Sequence, residues 1–249
     1  SGSFSGWYTT DGSLLSSDTT YAFTVSEDTA VYALFAGDVF ADIPGNAWYL
    51  EDAMEALYRG LTTGTTSVTF SGTAPYTRAM AAVMLYRLDQ KRGDMGLRND
   101  DALTLSPFAD VKPGVWYYNE VLWAYQNGII TGRGDGTFGP DESISRQDFF
   151  TMTARFLTVR NYTCDETELS FRDSGEISDY AAEPIRQLLA IGLIQGDDTG
   201  SIHPRDTMTR AEGAAVLVRL WDYLQANDEA RQRIEQQLKS CSEGYTRDC

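Results

Sequence analysis

The sequence is short of the residues that most often carry catalysis or bind metal. Its 249 residues include one histidine, His203, and three lysines, Lys91, Lys112 and Lys239. Cysteine occurs three times, at Cys164, Cys241 and Cys249, with no C-x-x-C pair and with His203 far from any of them, which excludes the usual zinc patterns. No serine sits in a G-x-S-x-G elbow, and a lone histidine before Pro204 leaves no nucleophile paired with a base. An enzyme is therefore not expected. No apolar run is long enough to cross a bilayer, so membrane insertion is not expected either. Positive charge is scarce, with 20 basic against 36 acidic residues and a formal net charge of −16. A general nucleic-acid binder needs a basic face, so nucleic acid is not an expected partner. An anionic ligand would have to be held by a few local arginines against a repulsive mean field.

What is present is enough for a core, since 42% of the residues are hydrophobic and 12% aromatic. The chain also repeats itself. Phe40-Ala41-Asp42, Phe108-Ala109-Asp110 and Phe171-Arg172-Asp173 recur at intervals of 68 and 63 residues. An aromatic follows each, at Trp48, Trp116 and Tyr180, the last with one inserted residue. Counted from these aromatics, glycines recur at +12 (Gly60, Gly128, Gly192) and +16 (Gly64, Gly132, Gly196). Arginines recur at +30 (Arg78, Arg146, Arg210) and +39 (Arg87, Arg155, Arg219).

Each unit reads as helix, loop, helix. Residues 117–127 carry Val121, Leu122 and Tyr125 at helical spacing, and Gly128 suits the left-handed residue that closes such a helix. Gly60-Leu61 and Gly192-Leu193 repeat that ending. The second helices are predicted to start at Thr77, Ser145 and Thr209. Thr209-Arg-Ala-Glu212 is a capping box, Ser145-Arg-Gln-Asp148 is close to one, and the first copy has Met80 in place of the acid. Arg87, Arg155 and Arg219 fall near the predicted helix ends, where a cation suits the dipole, and are expected to be structural.

The series Phe-x-Asp, aromatic, Gly-x-x-x-Gly, Asp-Gly-x-Phe-x-Pro and Thr-Arg-Ala-Glu resembles the S-layer homology (SLH) domain. Copies two and three carry most of it, and the resemblance covers about residues 40–222. The first copy departs in its loop, which has no Asp-Gly and no proline at the matching place. The resemblance implies a mainly α fold in which three helix-loop-helix units pack as a pseudo-threefold trimer. It implies inter-repeat grooves that bind cell-wall polysaccharide, often pyruvylated, and so anchor secreted proteins at the bacterial cell surface. Residues 4–35 resemble the tail of an internalin-type B-repeat, a small β module. The expected division is a partial β module at 1–37, units at 38–90, 107–158 and 171–222, linkers at 91–106 and 159–170, and a helical, cysteine-containing tail at 223–249.

Carried to matching positions, the resemblance implies ligand contacts at Asp42, Trp48, Arg78, Asp110, Trp116, Gly132, Arg146, Asp173, Tyr180, Gly196 and Arg210. Two readings of the +30 arginines stand. They form internal salt bridges to Asp42, Asp110 and Asp173, or they join free helix N–H groups in holding a carboxylate. The aromatics are either core or sugar-stacking platforms. The Arg146 groove ranks first, then Arg210, then Arg78, because the first loop and Tyr180 depart from the pattern. No cofactor and no metal are expected: Asp135, Asp141, Asp197 and Asp198 lie in loops without the ligand order of a calcium hand.

Rival readings are an adhesin or surface-layer lattice protein using the units to bind other surface-layer proteins, or Arg133-Gly134-Asp135 engaging host receptors. Thr65 and Asp197 replace Arg133 in the other copies, so the tripeptide is not part of the repeat. The cysteines leave one disulfide plus a free thiol, or three thiols, equally open. The start, Ser1-Gly2-Ser3, shows no signal peptide and reads either as an expression scar or as the start of a processed fragment.

Overall fold

Six helices pair in the order the repeat dictates in the computed structural model of the chain, which describes residues 4–9, 14–23, 31–35, 40, 42–66, 69–92, 105–162 and 167–245. The first unit contributes α1 (Leu50–Tyr58) and α2 (Arg78–Lys91), the second α3 (Tyr118–Gln126) and α4 (Arg146–Val159). The third contributes α5 (Asp179–Ala190) and α6 (Arg210–Tyr245). The fold is mainly α, as expected.

Each first helix ends on its predicted glycine: Gly60, Gly128 and Gly192 have φ of +69°, +72° and +72°. That left-handed residue lets Leu61, Ile129 and Leu193 donate back to Ala56, Ala124 and Leu188 at 2.8, 2.9 and 3.0 Å. Each of the three also buries its side chain completely. Each second helix starts on its predicted cap. The Thr77 and Ser145 hydroxyls accept from the Met80 and Asp148 amides, both at 3.2 Å. Thr209 and Glu212 form the reciprocal box, Thr209 N–H to Glu212 Oε2 at 2.8 Å and Glu212 N–H to Thr209 Oγ1 at 3.3 Å.

The second helix of each unit packs on the first helix of the next: α2 on α3, α4 on α5, and α6 back on α1. The cycle closes at the centre. The three strand-like segments before the second helices hydrogen bond in a ring, Tyr76 N–H to Met208, Ile144 N–H to Tyr76, and Met208 N–H to Ile144, at 2.8, 2.8 and 2.9 Å. Tyr76, Ile144 and Met208 are buried there, and Gly213 leaves room for the Tyr76 ring, which a Cβ would meet at 3.1 Å.

The stretches read as linkers at 91–106 and 159–170 begin inside helices, at Lys91 of α2 and Val159 of α4. Asp89 lies inside α2, buried, and pairs with Arg160 just past α4. The continuation after Trp221 is α6 itself. Its added turns are held by Arg59 to Asp222 at 2.7 Å, by Arg92 to Asp228, and by the Tyr162 hydroxyl to Asp228 at 2.5 Å. The N-terminal segment is a three-stranded antiparallel sheet of β1 (Phe4–Thr9), β2 (Leu14–Ser16) and β3 (Val31–Phe35), ordered β2-β1-β3. Leu14 and Ser17 face α1 and α6 across an acidic cavity of about 510 Å³. Cys164 and Cys249 lie outside the described residues, as does the Cys241 side chain, so the cysteine alternatives fall outside them as well.

Candidate ligand-binding grooves

The Phe-x-Asp aspartates turn toward their own unit's loop. Asp110 accepts from the Phe138 and Gly139 amides at 2.9 and 2.7 Å. Asp42 does the same with Phe70 and Ser71, both at 2.7 Å, and Asp173 with Ile202 and His203 at 3.0 and 2.7 Å. Burial alone would raise the Asp42 and Asp173 carboxyls, but the amide hydrogen bonds outweigh it and hold both below the ordinary value of 3.8. The phenylalanine of the motif braces the same loop. A Cβ on Gly132 would meet Phe108 at 2.7 Å, and one on Gly196 would meet Phe171 at 3.2 Å.

The +30 arginines reach into the next unit. Arg78 Nε donates to Phe138 O, Arg146 Nε to Ile202 O and Arg210 Nε to Phe70 O, each at 2.8 Å. Thus unit one grips unit two, two grips three, and three grips one. Arg78 and Arg210 also lie over the Phe138 and Phe70 rings, 4.8 and 5.0 Å from the centroids. The salt bridges to Asp42, Asp110 and Asp173, the first of the two readings, are not among the contacts of the described residues. Arg146 instead pairs with Glu212.

The helix N–H groups are also taken. Arg78 and Ala79 donate to Glu142 and Pro140 carbonyls at 3.0 Å each, Arg146 and Gln147 to Asp206 and Pro204 at 2.9 and 2.8 Å, and Arg210 and Ala211 to Ala74 and Gly72 at 2.9 Å each. The cap hydroxyls take the third. Free N–H groups for a ligand, the second reading of these helix starts, are therefore lacking. Carbonyl oxygens of the neighbouring unit satisfy the helix ends instead.

The grooves lie outside this ring, and each draws on all three units. One cavity of about 530 Å³ joins Arg146 of unit two, Gly196 and Arg219 of unit three, and Trp48 of unit one. A second, of about 330 Å³, joins Arg78 of unit one, Gly132 and Arg155 of unit two, and Tyr180 of unit three. A unit's own aromatic and arginine therefore do not share a groove. The aromatics are not core: Trp48, Trp116 and Tyr180 are 66%, 57% and 51% exposed. The Tyr180 hydroxyl donates to Asp148 at 2.7 Å, and burial first, then this bond, pushes its pKa up to about 12. The same pattern in the third combination would group Arg210, Gly64 and Trp116. There the arginine is closed off, 4% exposed, with Nη2 donating to Thr63 O at 2.7 Å.

Arg155 and Arg219, expected to be structural, line the two cavities. Neither makes a hydrogen bond or ion pair among the described residues. Nor does Arg87, whose Nη1 is buried without a partner. The helix-end argument fails outright for Arg219, because α6 runs on to Tyr245. The recurrence at +39 was the signal that could have singled these residues out.

Comparison with known proteins agrees with the repeat. The family model of the S-layer homology domain matches residues 39–82, 107–150 and 170–214. An endoglucanase of Bacillus sp. (strain KSM-635) is 33% identical over 201 residues, covering 74% of this chain and 19% of that protein. The S-layer protein EA1 of Bacillus anthracis is 32% identical over 112 residues, 45% of this chain and 12% of its own. A cellulosome-anchoring protein of Acetivibrio thermocellus is 29% identical over 143 residues, 57% of this chain and 31% of its own. In each case the chain spans under a third of the relative.

Proposed function

The chain belongs to the S-layer homology domain family, with three tandem units, and from that premise we propose that it anchors a bacterial surface protein non-covalently to the cell wall. The ligand is an anionic, pyruvylated secondary wall polysaccharide held in the grooves between units. The chain works as a binding module rather than a catalyst, at the secreted face of the cell. Relatives named as an S-layer protein and a cellulosome-anchoring protein support that location, and the endoglucanase relative suggests that unlike proteins carry the same module.

The observation that carries the reading is the make-up of the two cavities. Each sets an exposed aromatic face beside arginines and a loop backbone braced from behind. A sugar ring stacks on Trp48 or Tyr180, and its acid meets the arginines. Trp48, Arg78, Gly132, Arg146, Tyr180 and Gly196 are the contacts in the two cavities, and Trp116 and Arg210 their counterparts in the third combination. Asp42, Asp110 and Asp173 act by holding the loops. Units at 38–90, 107–158 and 171–222 and linkers at 91–106 and 159–170 are the division this reading adopts. The small sheet in residues 1–37 is the end of an internalin-type B-repeat, and 223–249 form the tail.

The receptor-binding rival has less in its favour. Arg133 pairs with Glu142, and Asp135 accepts from the Thr137 amide and hydroxyl at 2.9 and 2.6 Å, so both charged ends of the tripeptide are engaged within their own loop. Sedimentation with purified wall sacculi tests the proposal. The chain is expected to pellet with intact sacculi and to stay in solution once the secondary polymer is stripped. Pelleting that survives stripping would instead support a protein-protein module binding other surface-layer proteins.

A further inference from the structure

The two cavities share a design but not a charge. The Arg155 cavity is lined by Arg78, Arg133 and Arg155 against one acid, Asp148. The Arg146 cavity is lined by Arg146 and Arg219 against Asp197, Asp198 and Glu212. Three cations less one acid give +2, and two cations less three acids give −1. Counting the partners outside each lining, Glu142 on Arg133 and His203 on Asp197, the first stands at +1 and the second at −1 with the imidazole neutral or 0 with it protonated. One repeat position, +17 from the aromatic, accounts for much of the difference, because Arg133 in one loop is Asp197 in the other.

The arginines also differ in what remains free. Arg146 spends Nη1 on Glu212, and Arg210 spends Nη2 on a carbonyl and turns Nη1 toward the Met80 sulfur at 4.0 Å. Arg78 commits only Nε, so both of its Nη groups keep their donors. Arg155, in the same cavity, has no hydrogen bond or ion pair at all among the described residues. Each cavity still has a carboxylate near one of its arginines, Asp52 on α1 by Arg219 and Asp148 by Arg78.

We propose that the Arg155 cavity is the anion-selecting site of the chain, where Arg78 and Arg155 hold the oxyanion of an acidic wall sugar while its ring lies against Tyr180. The Arg146 cavity takes neutral glycan. This rests on the wall-binding function proposed above. It joins the +30 arginine, inside the Thr-Arg-Ala-Glu stretch by which the repeat is recognised, to cations at +39 and +17 outside it.

The experiment measures co-sedimentation of the full chain with purified sacculi, using Arg155→Ala and Arg219→Ala as a matched pair. Arg155→Ala should weaken binding about tenfold, the scale of one charge-assisted contact, and Arg219→Ala should change it far less. Equal or greater loss in Arg219→Ala, or unchanged binding in Arg155→Ala, overturns the inference alone. Failure of the unmutated chain to pellet overturns the wall-binding reading and the inference with it. Should Arg155→Ala not fold, Arg133→Asp on the exposed loop takes its place, with a loss of several-fold expected and no loss contradicting the proposal. Sacculi whose carboxylates are capped as amides separate the sources. Lost binding assigns the oxyanion to a carboxylate, whereas retained binding that still needs Arg155 assigns it to phosphate, which keeps the site and removes the pyruvyl group.

Discussion

The arginines at +30 and those at +39 recur with equal regularity, yet the structure uses them in opposite ways. Arg78, Arg146 and Arg210 each spend Nε on a carbonyl of the next unit and close the ring of three. Arg87, Arg155 and Arg219, three helical turns away at most, bond to nothing among the described residues. A repeated residue can thus be tied into the fold or left without a polar partner, and only its surroundings tell the two apart.

The first way to test this is to cut the ring where it is most buried. Arg210→Ala leaves the Phe70 and Thr63 carbonyls without their donor and opens a gap over the Phe70 ring. The cost is about 3 kcal/mol, as for hydrogen bonds to a charged group left unmade. At this chain length that lowers the thermal midpoint by roughly 6–12 °C in calorimetry. A drop within 2 °C, on the order of 0.5 kcal/mol, would refute the structural assignment of the +30 set.

Asp110→Ala comes next. It removes the acceptor for two loop amides, Phe138 and Gly139, in the unit that Arg78 grips. The amides can recover part of the loss from water, so about 2 kcal/mol and a shift of roughly 4–8 °C are expected. Asp110→Asn keeps an acceptor oxygen and should recover about half. If instead Asn is as poor as Ala, the charge rather than the bond holds the loop.

How far the sequence foretold all this follows the same divide. Glycines at helix ends and caps at Thr77, Ser145 and Thr209 were legible, because each depends on neighbours close in the chain. The cyclic exchange was not. A linear repeat records that Trp116 and Arg146 recur together, but closing three units into a ring places Arg146 in a groove with Trp48 instead. Whether the aromatics are core or exposed stayed open for a related reason: a tryptophan at a helix start is commonly core, and the deciding fact is which unit stands beside it. The role of Arg219 was hidden by a helix that runs 26 residues past it, from a stretch whose apolar stripe is thin.

A smaller effect separates the clamps by pH. Asp42 and Asp173 are held below the ordinary value of 3.8 in the folded chain. A depressed carboxyl stabilises the fold fully above its unfolded pKa, and that contribution fades as pH falls through the folded value. The thermal midpoint should therefore decline below about pH 4. Asp173→Asn should start lower at neutral pH and decline less steeply. A variant whose midpoint tracks the parent's slope would assign acid sensitivity to other carboxylates.

The smallest expected effect is the one the comparison depends on most. Arg155→Ala removes a cation four residues from the end of α4. Three terms act on it. Alanine is the better helix former by a few tenths of a kcal/mol. Losing a cation near the helix C-terminus costs about 0.3–1 kcal/mol. Removing one positive charge from a chain at −16 adds slightly to its self-repulsion. No hydrogen bond is broken and no acceptor is left buried, so the terms nearly cancel. The midpoint should stay within about 2 °C of the parent, since a net change of about 0.5 kcal/mol moves a chain of this size no further. Arg146→Ala, measured beside it, should fall well below that, because it strands the Ile202 carbonyl and the Glu212 carboxylate. Equal losses in the two variants would mean that Arg155 has a structural partner after all, and the contrast between the +30 and +39 arginines would collapse.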